Sequence, residues 1–447
     1  MQPLAELEEI TLYVHREFPG FGLNKTNSAI RLLYEISRKD GADFSRIIPD
    51  RLRLSRDFSQ IKDFLLAVRY PTLNNEERMS IPPVTPLKFC HDEIVNHGNQ
   101  PRALRRVFFE KKIASSAFLA QLKSKLPDTP FEEISSYKDY VAKHAFSIPD
   151  YNKRAETLFV IEENYDFFLH CPCTNLARPC GYYILNAGMG CVYDCAYCYL
   201  QGYTNSPGLM VPANLDDILE NFRGYYRDGI RVGTGQFTDS LAMDDLTGFS
   251  LRIIEFFRKF PGAYFEFKTK SACVGNLVNT MPAANILVSW SVNPQHMIDA
   301  HEGLTASLDE RLSAAQKCVD AGYYTGFHFD PIVFYHGWEK DYELVVKKIF
   351  ERVPSERIRW ISLGCLRMSM GVKQVMEKRF PDSSLLDAET VLGFDKKVRY
   401  PERIRRDIYK RMLEMIADYS RGDVFTYLCM EDEDMNANLA IPHWSSH

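Results

Sequence analysis

The chain has 447 residues, of which 45% are hydrophobic and 25% charged, and it carries a formal net charge of −5. This length suits a catalytic unit of about 200 to 250 residues with one or two smaller units, and the charge gives no overall attraction to a polyanion, so a nucleic-acid partner needs a local basic surface. No run approaches the ~18 apolar residues of a membrane span, and the start "MQPLAELEEITLYVHREF" lacks the basic-then-apolar pattern of an export signal, so a cytoplasmic protein with its eleven cysteines reduced is expected.

Residues 1–145 read as a mostly helical N-terminal domain: "NSAIRLLYEISRK" and "FSQIKDFLLAVRY" repeat apolar residues at helical spacing, and the Pro-rich "YPTLNNEERMSIPPVTP" interrupts them. In "PRALRRVFFEKK", Arg102, Arg105 and Arg106 read as a solvated helix face, with a basic surface as the alternative. Residues 146–381 alternate short β-branched or aromatic runs with amphipathic stretches, the signature of βα units and a parallel sheet. The expected strands are "GYYILNAG", "IRVGTGQF", "YFEFKTK", "NILVSWSV", "YTGFHFDPI" and "IRWISLGCL". Six such units make an α/β partial barrel, smaller than the closed eight-unit form. Residues 382–447 form a C-terminal extension, with a long helix in "RYPERIRRDIYKRMLEMIADYSRG" and a strand-like "VFTYLCM".

Directly after the first expected strand, "GCVYDCAYCYLQGY" places Cys191, Cys195 and Cys198 in one short loop. Three thiolates at these spacings can hold three corners of a [4Fe-4S] cluster, whose usual structural form takes four cysteines. The fourth iron is then open to an external ligand. A zinc site, which prefers Cys-x2-Cys knuckles and a fourth protein ligand, and three unliganded buried thiols are the other readings. Upstream, Cys171, Cys173 and Cys180 in "HCPCTNLARPCGYY" are reduced structural thiols or part of a second metal centre completed by a distant cysteine.

The loop resembles the cluster loop of the radical SAM enzymes, including the aromatic Tyr197 before the last cysteine. "CAYCYLQGY", "FEFKTKS", "VSWSVN", "AGYYTGFHFDPIVFYHGWEKDY" and "KKVRYPERIRR" follow in an order similar to that of the spore photoproduct lyase family, over roughly residues 145–410. The resemblance implies a partial (βα)6 radical SAM barrel, a [4Fe-4S] cluster on the three cysteines, and S-adenosylmethionine on the open iron. It further implies a reduced flavodoxin or ferredoxin as electron donor and DNA as a possible partner. Tyr197, Thr238, Asp239, Lys270, Ser291 and Asn293 fall where the family contacts the cofactor, and His328 and Asp330, two apart on one strand face, are added as cofactor or substrate contacts, with a hydrogen-bonded core pair as the alternative. Tyr199 matches the family's radical-relay tyrosine. The family's hydrogen-donor cysteine is replaced by Gln236, which has no weak S–H bond to offer, so Tyr199 or Cys365 must quench the product radical or the reaction must differ. Lys396, Lys397, Arg399, Arg403, Arg405 and Arg406 stand where the family's DNA hairpin lies, as phosphate contacts or as a solvated helix start. A peptide or small metabolite as substrate, and a non-catalytic metal-binding module, are the competing functions.

Overall fold

The computed structural model describes residues 2–95, 103–144, 146–164, 168–174, 176–203, 206–422 and 424–442. The chain forms two compact units, Met1–Asn96 with Arg367–Arg405 and His97–Leu366 with Arg406–His447. These do not coincide with boundaries at 145 and 381, because stretches distant in sequence fold into each unit.

In the larger unit all six expected strands form: β1 Tyr182–Leu185, β2 Arg231–Gly233, β3 Tyr264–Thr269, β4 Ile286–Ser291, β5 Tyr324–Ile332 and β6 Ile358–Cys365. They pair in parallel in that order, β7 (Thr426–Leu428) extends the sheet beyond β6, and Phe168–His170 closes the other edge antiparallel to β1. Helices Leu308–Asp320 and Trp338–Arg352 bury Leu312, Ala315, Val345 and Ile349. Apolar and aromatic residues buried on the strands, such as Phe265 and Phe267 of β3, mark them in the sequence, with the polar residues between them.

The inward face is polar. Glu266 on β3 accepts from Ser289 Oγ at 2.5 Å, His328 Nε2 at 2.8 Å and Trp360 Nε1 at 2.9 Å. Near the amino-terminal strand ends Arg231 stacks 4.2 Å from the Trp360 ring centroid and donates to the Tyr427 hydroxyl. Gly233 is required at this floor, since a Cβ there would fall 2.0 Å from the Tyr182 hydroxyl. With the floor filled, ligands have the carboxyl-terminal mouth, where catalytic groups of such barrels collect.

A second, four-stranded parallel sheet was not expected. Its strands run in the order Phe131–Ile134, Arg106–Glu110, Thr157–Ile161, Leu209–Pro212. Arg106 therefore opens a strand and does not lie on a helix face; Arg102 lies outside the described residues.

The smaller unit is helical over much of its length. Helices Gln2–Glu17, Leu23–Asp40 and Phe58–Arg69 pack through Val14, Leu33, Ile36, Ile61 and Leu65. Buried Arg31 pairs with both Glu35 and Glu377, and Arg69 donates to Glu35 at 2.9 Å. Its short sheet joins Arg367–Met368, Val398–Arg399 and Val391–Leu392. In the turn of this hairpin Arg399 is bound to Asp395 at 2.9 Å. Arg403 is bound to Glu77 and Thr72, and buried Arg405 to the Tyr400 carbonyl. Three of the basic residues considered as phosphate contacts are thus held by partners inside the unit, while Lys396 and Arg406 are exposed.

Candidate cluster and cofactor site

The three-cysteine loop begins at Gly190, whose φ of +84° suits glycine and whose N–H donates to the Phe237 carbonyl after β2. From there the loop is pinned from two sides. On one side Arg154, fully buried, donates from Nε to the Cys191 carbonyl at 3.1 Å, from a terminal nitrogen to the Tyr193 carbonyl at 2.5 Å, and pairs with Asp194 at 3.2 Å. On the other, Asp194–Cys195 pairs antiparallel with Glu302–Gly303, and the Ala196 N–H donates to the His301 carbonyl.

Burial pushes all three thiols up, Cys191 to about 12, and the backbone N–H groups of Tyr193 and Leu200 donate to the sulfurs of Cys191 and Cys198. With the Arg154 guanidinium close by, these donors favour sulfur that carries negative charge, as in a thiolate on iron. Among the described residues no three His, Cys, Asp or Glu side chains are arranged to hold a single metal ion. The donor set fits a cluster, which spreads its thiolates over several irons.

Next to Cys195 stands Glu302, whose side chain is 0% exposed. Its Oε1 accepts from the Tyr197 hydroxyl and from Asn293 Nδ2 at 2.8 Å, and lies 3.4 Å from Lys270 Nζ. Its Oε2 accepts from Arg311 at 2.6 Å. Three expected cofactor residues, Tyr197, Lys270 and Asn293, thus converge on a carboxylate that sequence reasoning missed; an acidic residue in "IDAHEGLT" carries no pattern of its own. The one available signal is Arg311, a cation inside the apolar stripe of Leu308, Leu312 and Ala315. Burial pushes the Glu302 carboxyl up, but Arg311 and Lys270, aided by the Tyr197 and Asn293 donors, outweigh it and hold the group well below the usual carboxylate range. A folded-state value below the unfolded ~4.3 means that this stability is complete above about pH 4.3 and drains away as pH falls further. Urea melts across the acid range should show that loss, and Glu302→Gln should flatten it.

The other expected residues divide. Tyr199 donates its hydroxyl to the Gln236 carbonyl, so the tyrosine expected as a relay and the position expected for the donor are neighbours. Thr238 stands beside Gly188. Asp239 is occupied within the protein: its carboxylate accepts from Thr269 Oγ1 at 2.6 Å and from the N–H groups of Lys270, Leu241 and Ala242, tying the ends of β2 and β3 together. The Ser291 carbonyl accepts from Arg311, while Asp330 lies within the field of Lys268 on the inward face. His328 corrects the sequence reading, because Ser362 Oγ and Glu266 take both ring nitrogens, making it the hydrogen-bonded core alternative. Cys365 is a second correction. Trp360 and Ser362 of β6 face inward, so Cys365, of opposite parity, turns to the outer layer, where its N–H meets the Tyr409 hydroxyl and its side chain is buried.

A curled half-barrel with three thiols in the loop after its first strand, Cys195 buried and Cys191 and Cys198 half-buried, defines a radical SAM fold. The chain belongs to the spore photoproduct lyase family, whose model matches residues 172–422. It is 29% identical over 213 residues to the spore photoproduct lyase of Clostridium acetobutylicum, a match covering 46% of this chain and 63% of that protein. It is 29% identical over 221 residues to that of Bacillus subtilis, covering 48% and 65%. A solved spore photoproduct lyase mutant with a dinucleoside spore photoproduct shares the fold with a TM-score of 0.63 at 24% identity, over 74% of this chain and 99% of that one. Another, with bound AdoMet and the dinucleoside, gives a TM-score of 0.62 at the same identity and coverage. No helix among the described residues is long and apolar enough to cross a membrane.

Proposed function

We propose that this protein is a radical SAM enzyme whose cluster is held by Cys191, Cys195 and Cys198 and whose substrate is a lesion in DNA. The observation that carries the reading is the three-thiol loop with its N–H and guanidinium donors, after the first strand of a half-barrel whose floor is closed. When bound, cluster and S-adenosylmethionine together supply one-electron cleavage of the sulfonium to methionine and a 5'-deoxyadenosyl radical. Reduced flavodoxin or ferredoxin is the electron donor in this reading.

The chain's own part is positioning. Arg154 fixes the backbone of the loop at Cys191 and Tyr193, while the Glu302–Gly303 pairing holds Cys195 and the Glu302 carboxylate anchors Lys270, Tyr197 and Asn293 beside it. Lys270 is the group suited to the carboxylate of the methionine part; Asn293, expected beside it, is taken up within the protein, its Nδ2 donating to Glu302 and its Oδ1 accepting from the Tyr342 hydroxyl at 2.8 Å. The filled floor of Tyr182, Arg231, Trp360 and Tyr427 keeps water from entering behind the substrate. Tyr199, held by the Gln236 carbonyl, is placed to pass a hydrogen atom.

Anaerobic reconstitution followed by dithionite and S-adenosylmethionine tests this: 5'-deoxyadenosine should accumulate, and a filled cluster without it would leave only a metal-binding module. Tyr199→Phe should keep 5'-deoxyadenosine formation within about twofold while lowering lesion conversion about tenfold or more, as expected for a residue acting after cofactor cleavage. Equal loss of both would remove Tyr199 from the relay. A second reading, a non-DNA substrate, draws on the glutamine at 236 and the internally paired Arg399, Arg403 and Arg405. It is favoured if binding to ultraviolet-treated DNA is absent or does not weaken with salt.

A further inference from the structure

Four cysteines outside the cluster loop meet where the half-barrel's two edges approach. Phe168–His170 and β7 are the opposite ends of one sheet. Yet Ala177 forms a β-bridge with Asp432, and the Arg178 N–H donates to the Glu431 carbonyl at 2.8 Å. The Arg178 side chain adds bonds to Glu433 and to the Ile441 carbonyl. The segment carrying Cys171, Cys173 and Cys180 is therefore stitched to the segment that follows Cys429.

Each thiol is fixed by its backbone. The Cys171 N–H donates to the Tyr182 carbonyl at 3.0 Å and that of Cys173 to the Cys171 carbonyl at 2.7 Å. The Cys180 carbonyl takes an Arg231 N–H at 3.2 Å, and the same guanidinium reaches Tyr427, two residues before Cys429. The Cys429 N–H donates to the Leu363 carbonyl at 2.7 Å. The Cys171 thiol bonds to Cys173 and lies within electrostatic reach of Cys429 and Cys180. None of the four is in a disulfide.

We propose that Cys171, Cys173, Cys180 and Cys429 ligate a second iron–sulfur cluster at this seam. Two further observations point to a ligand. Arg231 and Lys268 supply positive charge facing the group, Lys268 being in the field of Cys429 and Cys171, as four thiolates require. The buried Thr174 hydroxyl, one residue from Cys173, has no hydrogen-bond partner among the described residues, and a cluster sulfide or thiolate would accept from it. A cubane with four protein thiolates leaves no iron open, so this site is not a second cofactor-cleaving centre.

Iron and acid-labile sulfide counts on the full chain, reconstituted without oxygen, decide the matter. Wild type should bind about eight irons per chain, and the variant Cys191→Ala, Cys195→Ala, Cys198→Ala should keep about four, as a four-cysteine cubane holds. Cys173→Ser with Cys429→Ser should also keep about four, with unchanged circular dichroism, now at the first loop. Should that double variant fail to fold, the triple variant still gives the answer. About four irons in wild type and none in the triple variant would overturn the proposal, as would one zinc per chain lost with Cys429→Ser, or a Cys171–Cys173 disulfide in the anaerobic protein. Because the triple variant lacks the first cluster, failure here is distinct from failure of the enzymatic reading.

Discussion

Cys198→Ala is expected to lower 5'-deoxyadenosine formation by at least about 10^3-fold, to the level of the protein-free reaction, because ligands that hold one group act as a unit. Two thiolates cannot retain a cubane that offers one corner to an outside ligand. Removing Cys198 also removes the sulfur that the Leu200 N–H supports and that lies in the field of Arg154. Cys191→Ala and Cys195→Ala should be as severe, and combining all three should cost little more. The fold should persist, since Arg154 and the Glu302–Gly303 pairing hold the loop through backbone groups that alanine keeps. Activity is read by chromatography of the nucleoside product in an oxygen-free assay, and fold by circular dichroism. Turnover by Cys198→Ala within tenfold of wild type would show that this sulfur is not a ligand.

Glu302→Ala is expected to destabilise the larger unit by about 3–5 kcal/mol, the range for breaking a buried ion pair from one side. Arg311 and Glu302 have fully buried side chains, so the variant strands a guanidinium without water or counter-ion. Tyr197, Asn293 and Lys270 lose their common acceptor at the same time. The other Arg311 bonds, to the carbonyls of Ala306 and Ser291, remain and limit the loss. Chemical denaturation should show a lower midpoint with an unchanged slope. Glu302→Gln, which keeps an acceptor oxygen, should cost less, and a Glu302→Ala effect under about 1 kcal/mol would mean that water reaches Arg311.

Much of the larger unit was legible because its physics is local. The strands show recurring aromatic and β-branched residues, and the helices between them show their apolar stripe, so β1 to β6 were found within a few residues. The second sheet was not legible. Arg106–Glu110 is five residues long, ends in charge, and pairs with Phe131–Ile134 and Thr157–Ile161 far along the chain. Nothing within so short a window separates a strand from a helix turn. The site divides the same way: the cysteine spacing announces itself, whereas Glu302 and Arg154 act through partners that only the fold supplies. His328 faces inward but is taken up there by Ser362 and Glu266, partners that only the fold supplies, and Cys365 was misread for a related reason. Which face of a strand points into the barrel depends on its register, and β5 and β6 carry irregularities at Thr325/Gly326 and Phe329/Ile332 that the sequence does not display.

The account rests on an iron corner of the loop cluster that no side chain fills. Electron-nuclear double resonance on the reduced, reconstituted protein with S-adenosylmethionine labelled at its amino nitrogen and carboxylate tests this most directly. Hyperfine coupling from both labels to the cluster, lost in Cys198→Ala and kept in Cys429→Ser, is the predicted result. Absence of coupling in a protein with a full complement of iron would contradict it.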